Sequence, residues 1–191
     1  EILFEVYNKR NWLSQENFQL TLLANNLLKN FFNGKEDMEN LFDVDKWAWF
    51  MAASDINYYV HGNDVKSVKF YFNPLNSLLE PIHFDGDPGM TSGMVGDWEE
   101  NFLNAGKDYT FQRKYIRNLE KFTSYKYINN IKIKYDPIIE DIENILKNEW
   151  PEFEKFSWEG LFQSSYKLRT YIDIIPPEYA LRSHINNDTI V

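Results

Sequence analysis

Asp85 and Asp87 stand one residue apart in the segment KFYFNPLNSLLEPIHFDGD, which spans residues 69–87, and His83 lies two residues upstream of the first. Gly86 separates the two aspartates, and Pro88, Gly89, Gly93 and Gly96 follow them. Carboxylates, an imidazole and glycine-permitted backbone amides in one short stretch suit a hard cation such as Mg²⁺ or Mn²⁺. Such an ion is held by one or two carboxylates together with the phosphate oxygens of a substrate. Zinc is a poor fit, because no closely spaced His pair such as HExxH is present and the chain has no cysteine.

The elements that must position these groups are legible around them. Lys69, Phe70, Tyr71 and Phe72 have the aromatic, extended character of a strand, Asn73-Pro74 with Asn76-Ser77 supply a turn, and residues 78–84 form a second apolar run. An antiparallel hairpin returns both of its ends to the same side, which brings His61 and Asp64, just before it, toward Asp85 and Asp87, just after it. His83 joins that group if its face of the strand matches that of Asp85. Each residue also has a plainer role open to it. Asp beside Gly is common turn chemistry, which covers Asp85, Asp87 and the Asp64 of Gly-Asn-Asp, and His61 suits a hydrogen-bonded loop histidine. Asp97 and Glu99 read as favourable charge in the first turn of a short helix that Gly106 closes.

The rest of the chain reads as helix. Ser14 is placed to cap a helix with Phe18, Leu22, Leu23, Leu27, Leu28 and Phe31 at helical spacing, ended by Asn33-Gly34. From Val44 onward Trp47, Ala48, Phe50, Met51 and Ala52 spread over too wide a surface for an exposed helix, which places this one at the centre of the core. Asp108 caps a further helix, and Thr123 or Ser124 starts the next. Asp136-Pro137 has the form of an N-cap followed by proline at the first helical position, with Ile138, Ile139, Ile142, Ile145 and Leu146 as a buried stripe and Pro151 as the stop. Ser157 opens the last helix. The expected architecture is α+β and predominantly helical, one short β-hairpin packed on about six helices in a single domain over residues 1–191.

Composition bounds the partners. With 191 residues, 43% of them hydrophobic and 17% aromatic, the chain can bury one sizeable core. A net charge of −9 disfavours nucleic acid and anionic membrane surfaces, so no nucleic-acid partner is expected. No apolar run approaches the roughly 20 residues of a membrane span, so no membrane insertion is expected either. The lack of cysteine suits the cytoplasm and an exported or cell-surface setting equally well.

The order LFDVDKWAWFMAASDIN, a His-containing turn, KFYFNP and then LEPIHFDGD resembles the C-terminal part of the CotH family of atypical, spore-coat-type protein kinases. FQRKYIRNLEKFT and YINNIKIKYDPIIEDIENILKNEWP are similar to that family's helical tail, so the resemblance covers roughly residues 18–150. It implies a kinase-like C-lobe in which Asp85 and Asp87 form the D-x-D element that holds metal, with ATP and Mg²⁺ as cofactors and a protein Ser/Thr as acceptor. Phosphoryl transfer consists mostly of positioning and charge neutralisation, so the lobe must supply a base and metal-binding carboxylates. The segment before the hairpin matches the catalytic loop. His61 falls at or beside the place of the base, Asp64 is close but out of register, and Ser67 stands where the family has a metal-binding Asn. No β-rich segment with a nucleotide-clamping Lys precedes Ser14, so the chain is expected to be a piece lacking the N-lobe, with residues 176–191 opening a following segment. The alternative is a non-catalytic, pseudokinase-like scaffold that serves a coat or cell-surface assembly. A glycosidase would need carboxylates facing each other across a cleft, and Asp85 and Asp87 share one short segment.

Overall fold

In the computed structural model, residues 6–59, 62, 67–84, 86 and 108–174 are described. They form seven helices and one two-stranded sheet, in the order α1 (Lys9–Trp12), α2 (Phe18–Phe32), α3 (Met38–Leu41), α4 (Val44–Ile56), β1 (Lys69–Asn73), β2 (Leu78–Ile82), α5 (Tyr109–Phe122), α6 (Tyr125–Glu149) and α7 (Glu159–Ile174). The described residues are therefore mostly helical with a single antiparallel hairpin, as the sequence patterning leads one to expect. No described helix is long and apolar enough to cross a membrane. The expected short helix from Asp97 to Gly106 lies outside the described residues.

Helix α4 is the centre of the core. Asp43 caps it by accepting the Lys46 amide at 3.1 Å. Val44, Trp47, Ala48, Phe50, Met51, Ala52, Ser54 and Ile56 are all buried, so the helix is covered on several sides, as its wide apolar surface demanded. On one side lies α5, which buries Phe111, Tyr115, Leu119 and Phe122 at helical spacing. Asp108 caps α5, accepting the Phe111 amide at 2.7 Å. Helix α7 adds Leu168, and on another side the hairpin adds Leu79 with Phe70 and Phe72 packed around it.

Three sequence expectations are corrected. Helix α2 starts at Phe18, not at Ser14, whose hydroxyl donates to the Asn11 carbonyl at 2.6 Å. At its other end Gly34 takes φ 67°, and the Gly34 and Lys35 amides donate to Phe31 and Asn30 at 2.9 and 2.8 Å. This closes the helix by the left-handed route that glycine favours. Second, Pro137 does not open a helix but sits inside the 25-residue α6, which Ser124 caps through the Tyr127 amide. Asp136 is unavailable as a cap because its carboxylate accepts from Lys132 at 2.5 Å and from the Trp158 indole at 2.7 Å. Third, the apolar stripe of α6 is not buried as a whole. Ile138, Ile142 and Ile145 are 52%, 50% and 59% exposed.

Candidate functional site

The hairpin is held at its middle. In the register Lys69 pairs with Ile82, Tyr71 with Glu80 and Asn73 with Leu78. The four-residue turn is set by side chains: Asn73 Oδ1 accepts the Leu75 amide and Asn76 Oδ1 the Leu78 amide, each at 3.0 Å. These are the Asx turns that Asn favours, and Ser77 completes the reversal at φ 58°. Strand β2 then docks on α4. The Leu79 carbonyl accepts both the Trp47 indole N–H at 2.8 Å and the Asp43 amide at 3.0 Å, and Leu79 and Trp47 are fully buried.

A polar lock lies beside this anchor. Lys46 reaches Glu80 at 2.7 Å and Asp43 at 3.2 Å, and the Asn73 amide donates to the same Glu80 carboxylate at 2.8 Å. The hydrogen bond from Lys46, followed by that from Asn73, holds the Glu80 carboxyl below its ordinary range. The bond to Glu80 likewise raises the Lys46 ammonium above its own ordinary value. Glu80 therefore ties the hairpin turn to the first turn of α4.

Past the anchor the strand emerges into solvent. Ile82 and Phe84 are 45% and 48% exposed, and His83, one residue beyond the end of β2, is exposed too. The His83 imidazole is nonetheless oriented. It stands edge-on to Tyr59 at a centroid distance of 5.2 Å and to Phe50 at 6.3 Å. The backbone of Gly86 closes on the same ring: a Cβ there would fall 2.5 Å from His83 Cε1 and 2.7 Å from Nε2. Only glycine permits that approach with the ring where it stands.

Lys69 joins this end, and α4 ends nearby. Lys69, opposite Ile82 in the register, places its ammonium 5.0 Å from the centre of the Phe84 ring. Asp55, in the last turn of α4, accepts a hydrogen bond from the Tyr115 hydroxyl of α5. The chain reverses just beyond it, through Tyr58 at φ 55° and a bond from the Tyr59 amide to the Ser54 carbonyl at 2.9 Å. Lys69 is absent from the sequence-based candidates because only the hairpin register brings it to Phe84.

His61, Asp64, Asp85 and Asp87 lie outside the described residues, while Ser67 is half-buried in the turn just before β1. Among the described residues no three His, Asp or Glu side chains come together in a way that could hold a metal ion. The described part of the site is thus its scaffold: a buried anchor at Leu79, an oriented His83 and a cation at Lys69. Compared with family models, curated proteins and solved structures, the chain matches none of them.

Proposed function

We propose that this chain is the metal-binding, C-lobe-like part of a CotH-like atypical protein kinase, in which Asp85 and Asp87 hold Mg²⁺ or Mn²⁺ against the phosphates of ATP. The observation that carries the reading is the geometry at the hairpin exit. A D-x-D pair bound for a metal needs a fixed origin and a solvent-facing end, and the Leu79 anchor followed by exposed His83 and Phe84 has both features. When bound, the cation neutralises charge on the transferring phosphoryl group. Of the chain's own residues, His83, whose ring is set by Tyr59, Phe50 and Gly86, would help hold the nucleotide, and Lys69, beside Phe84, would add positive charge for its phosphates. The acceptor is a protein Ser/Thr hydroxyl, with His61 at the place of the base and Asp64 beside it.

One observation favours a second reading, a pseudokinase-like scaffold for a coat or cell-surface partner. In the resemblance, His61 falls at or beside the place of the catalytic Asp and Ser67 at that of the metal-binding Asn, so metal binding can persist without phosphoryl transfer.

A thermal-shift titration with Mg²⁺ and Mn²⁺, with and without ATP, tests the site on wild type, Asp85→Asn and Asp87→Asn. A ligand confined to the folded state adds about 2.7 kcal/mol at 100 times its dissociation constant. Stabilisation of wild type that both variants lose supports the metal site, and transfer of labelled phosphate to a protein acceptor then separates kinase from scaffold. Equal responses in all three proteins, or none in wild type, overturn the metal reading.

A further inference from the structure

Among the described residues, nothing covers a coiled-coil seam on helix α6. Ile131, Tyr135, Ile138, Ile142 and Ile145 follow one another at alternating steps of four and three along its 25 residues, the spacing that keeps one apolar edge facing a second helix. Ile131 is half-buried, and Tyr135, Ile138, Ile142 and Ile145 are 41%, 52%, 50% and 59% exposed. The neighbouring edge of α6 is already occupied. Glu143 accepts the Phe156 amide at 2.6 Å and Asp136 the Trp158 indole at 2.7 Å, so the chain returning from α6 covers that edge and leaves the seam open.

We infer that the seam is the interface for a second copy of this chain, with the two α6 helices antiparallel. Charge favours that occupant and direction. Lys134 and Asp141, both exposed, border the seam on its open edge seven residues apart with opposite sign. A two-fold axis near position 137 sets Lys134 of one chain against Asp141 of the other, twice, while Tyr135 meets Ile138 and Ile131 meets Ile142 across the seam. A parallel pair would place Lys134 beside Ile139 and Asp141 beside Leu146 of its neighbour and would pair neither charge. The seam over residues 131–145 is about 22 Å long. Two helices in contact over that length bury less than the roughly 800 Å² per partner of a standard interface, so the dimer is a weak one, populated at high protein concentration. Each chain carries a net charge of −9, and at 0.15 M salt the long-range repulsion is screened beyond about 8 Å.

The absence of cysteine makes the register directly testable. Lys134→Cys and Asp141→Cys chains are mixed under mild oxidation, and sedimentation equilibrium follows the wild type in parallel. The mixture should form a 134–141 disulfide dimer in clear excess over the products of either variant alone. Ile142→Glu should abolish both the cross-link and the reversible dimer without shifting the thermal midpoint. Asp141→Lys should weaken the dimer about tenfold, and Lys134→Asp combined with Asp141→Lys should restore it. A wild type that stays monomeric at millimolar concentration overturns the proposal, as do equal yields of all three disulfides. A monomer that Ile142→Glu destabilises also overturns it, and assigns the seam to a segment of the same chain.

Discussion

Replacing Trp47 by Phe isolates the contact that holds the hairpin to α4. The indole is fully buried, and its N–H donates to the Leu79 carbonyl at 2.8 Å. A phenyl ring keeps most of the edge-on contact with Phe42 and Phe50, now at 5.5 and 5.9 Å between centroids. What is lost is one hydrogen bond and the pyrrole part of the ring. The bond contributes about 1 kcal/mol net. Its acceptor is not orphaned, because the Asp43 amide still donates to it at 3.0 Å, so the further 1–3 kcal/mol typical of an unsatisfied buried group should not appear. Roughly 40 Å³ of lost ring adds about 1 kcal/mol of cavity cost, and roughly 40 Å² of apolar surface no longer buried adds about 1 kcal/mol more. The expected loss is about 3 kcal/mol. In urea, with m near 2 kcal/mol/M, that is a fall in midpoint of about 1.5 M at unchanged slope. A loss below about 1 kcal/mol would refute the idea that this indole anchors the hairpin. A loss above about 5 kcal/mol would show that the carbonyl is orphaned after all and that Asp43 moves with the tryptophan.

Pro137→Ala should stabilise the protein by about 2 kcal/mol in urea denaturation. It restores an amide donor inside α6 and removes a ring clash worth about 3 kcal/mol in a helix interior, against about 1 kcal/mol of unfolded-chain entropy that proline suppresses. The Glu80 lock predicts an acid limb. Because the folded carboxyl lies below its ordinary value of 4.5, its stabilisation is complete above that value and is lost as the pH falls through the folded value. Glu80→Gln should therefore cost stability at pH 7 and much less near pH 3, as measured by urea midpoints across that range. Lys46 gives the opposite limb: with its ammonium raised above 10.5, its contribution is complete below that value and fades as the pH rises through the folded one.

What sequence could and could not reveal follows from the range of each interaction. Asp108 was legible as a cap, and Thr123 or Ser124 as a helix start, because a cap is a bond to an amide three residues on. The hairpin was legible because Asn73 and Asn76 fix its turn locally. Asp136-Pro137 carried the same local signal as a cap and misled, since Asp136 bonds Lys132 within the same helix and Trp158, 22 residues away. The α6 stripe shows the limit of periodicity: spacing identifies an apolar face but not what covers it. At the site, the D-x-D pair and His83 stood out by residue type, while Lys69 did not. Its relevance depends on strand register, which composition does not encode.

The hairpin and α6 meet the solvent for different physical reasons, and this separates the two proposals. Along β2 burial falls from Leu79, fully enclosed, to Ile82 and Phe84, about half exposed. That gradient suits the proposed cation site, where the ion is held against a rigid origin and still exchanges its water. On α6 exposure does not grade along the chain. It divides the helix lengthwise, with Glu143 and Asp136 on a covered edge and Ile138, Ile142 and Ile145 on an open one, and this geometry suits a parallel-sided partner rather than a point ligand. The hairpin is bonded to α4 through Leu79 and Glu80, while α6 joins the core at its first turns, where Ile128 is buried and Tyr127 stacks on Phe122 at 5.2 Å. Ile142→Glu should then leave any metal-dependent thermal shift intact, and Asp85→Asn should leave self-association intact. A variant that removed both responses would mean that one of the two surfaces is not where its chemistry places it.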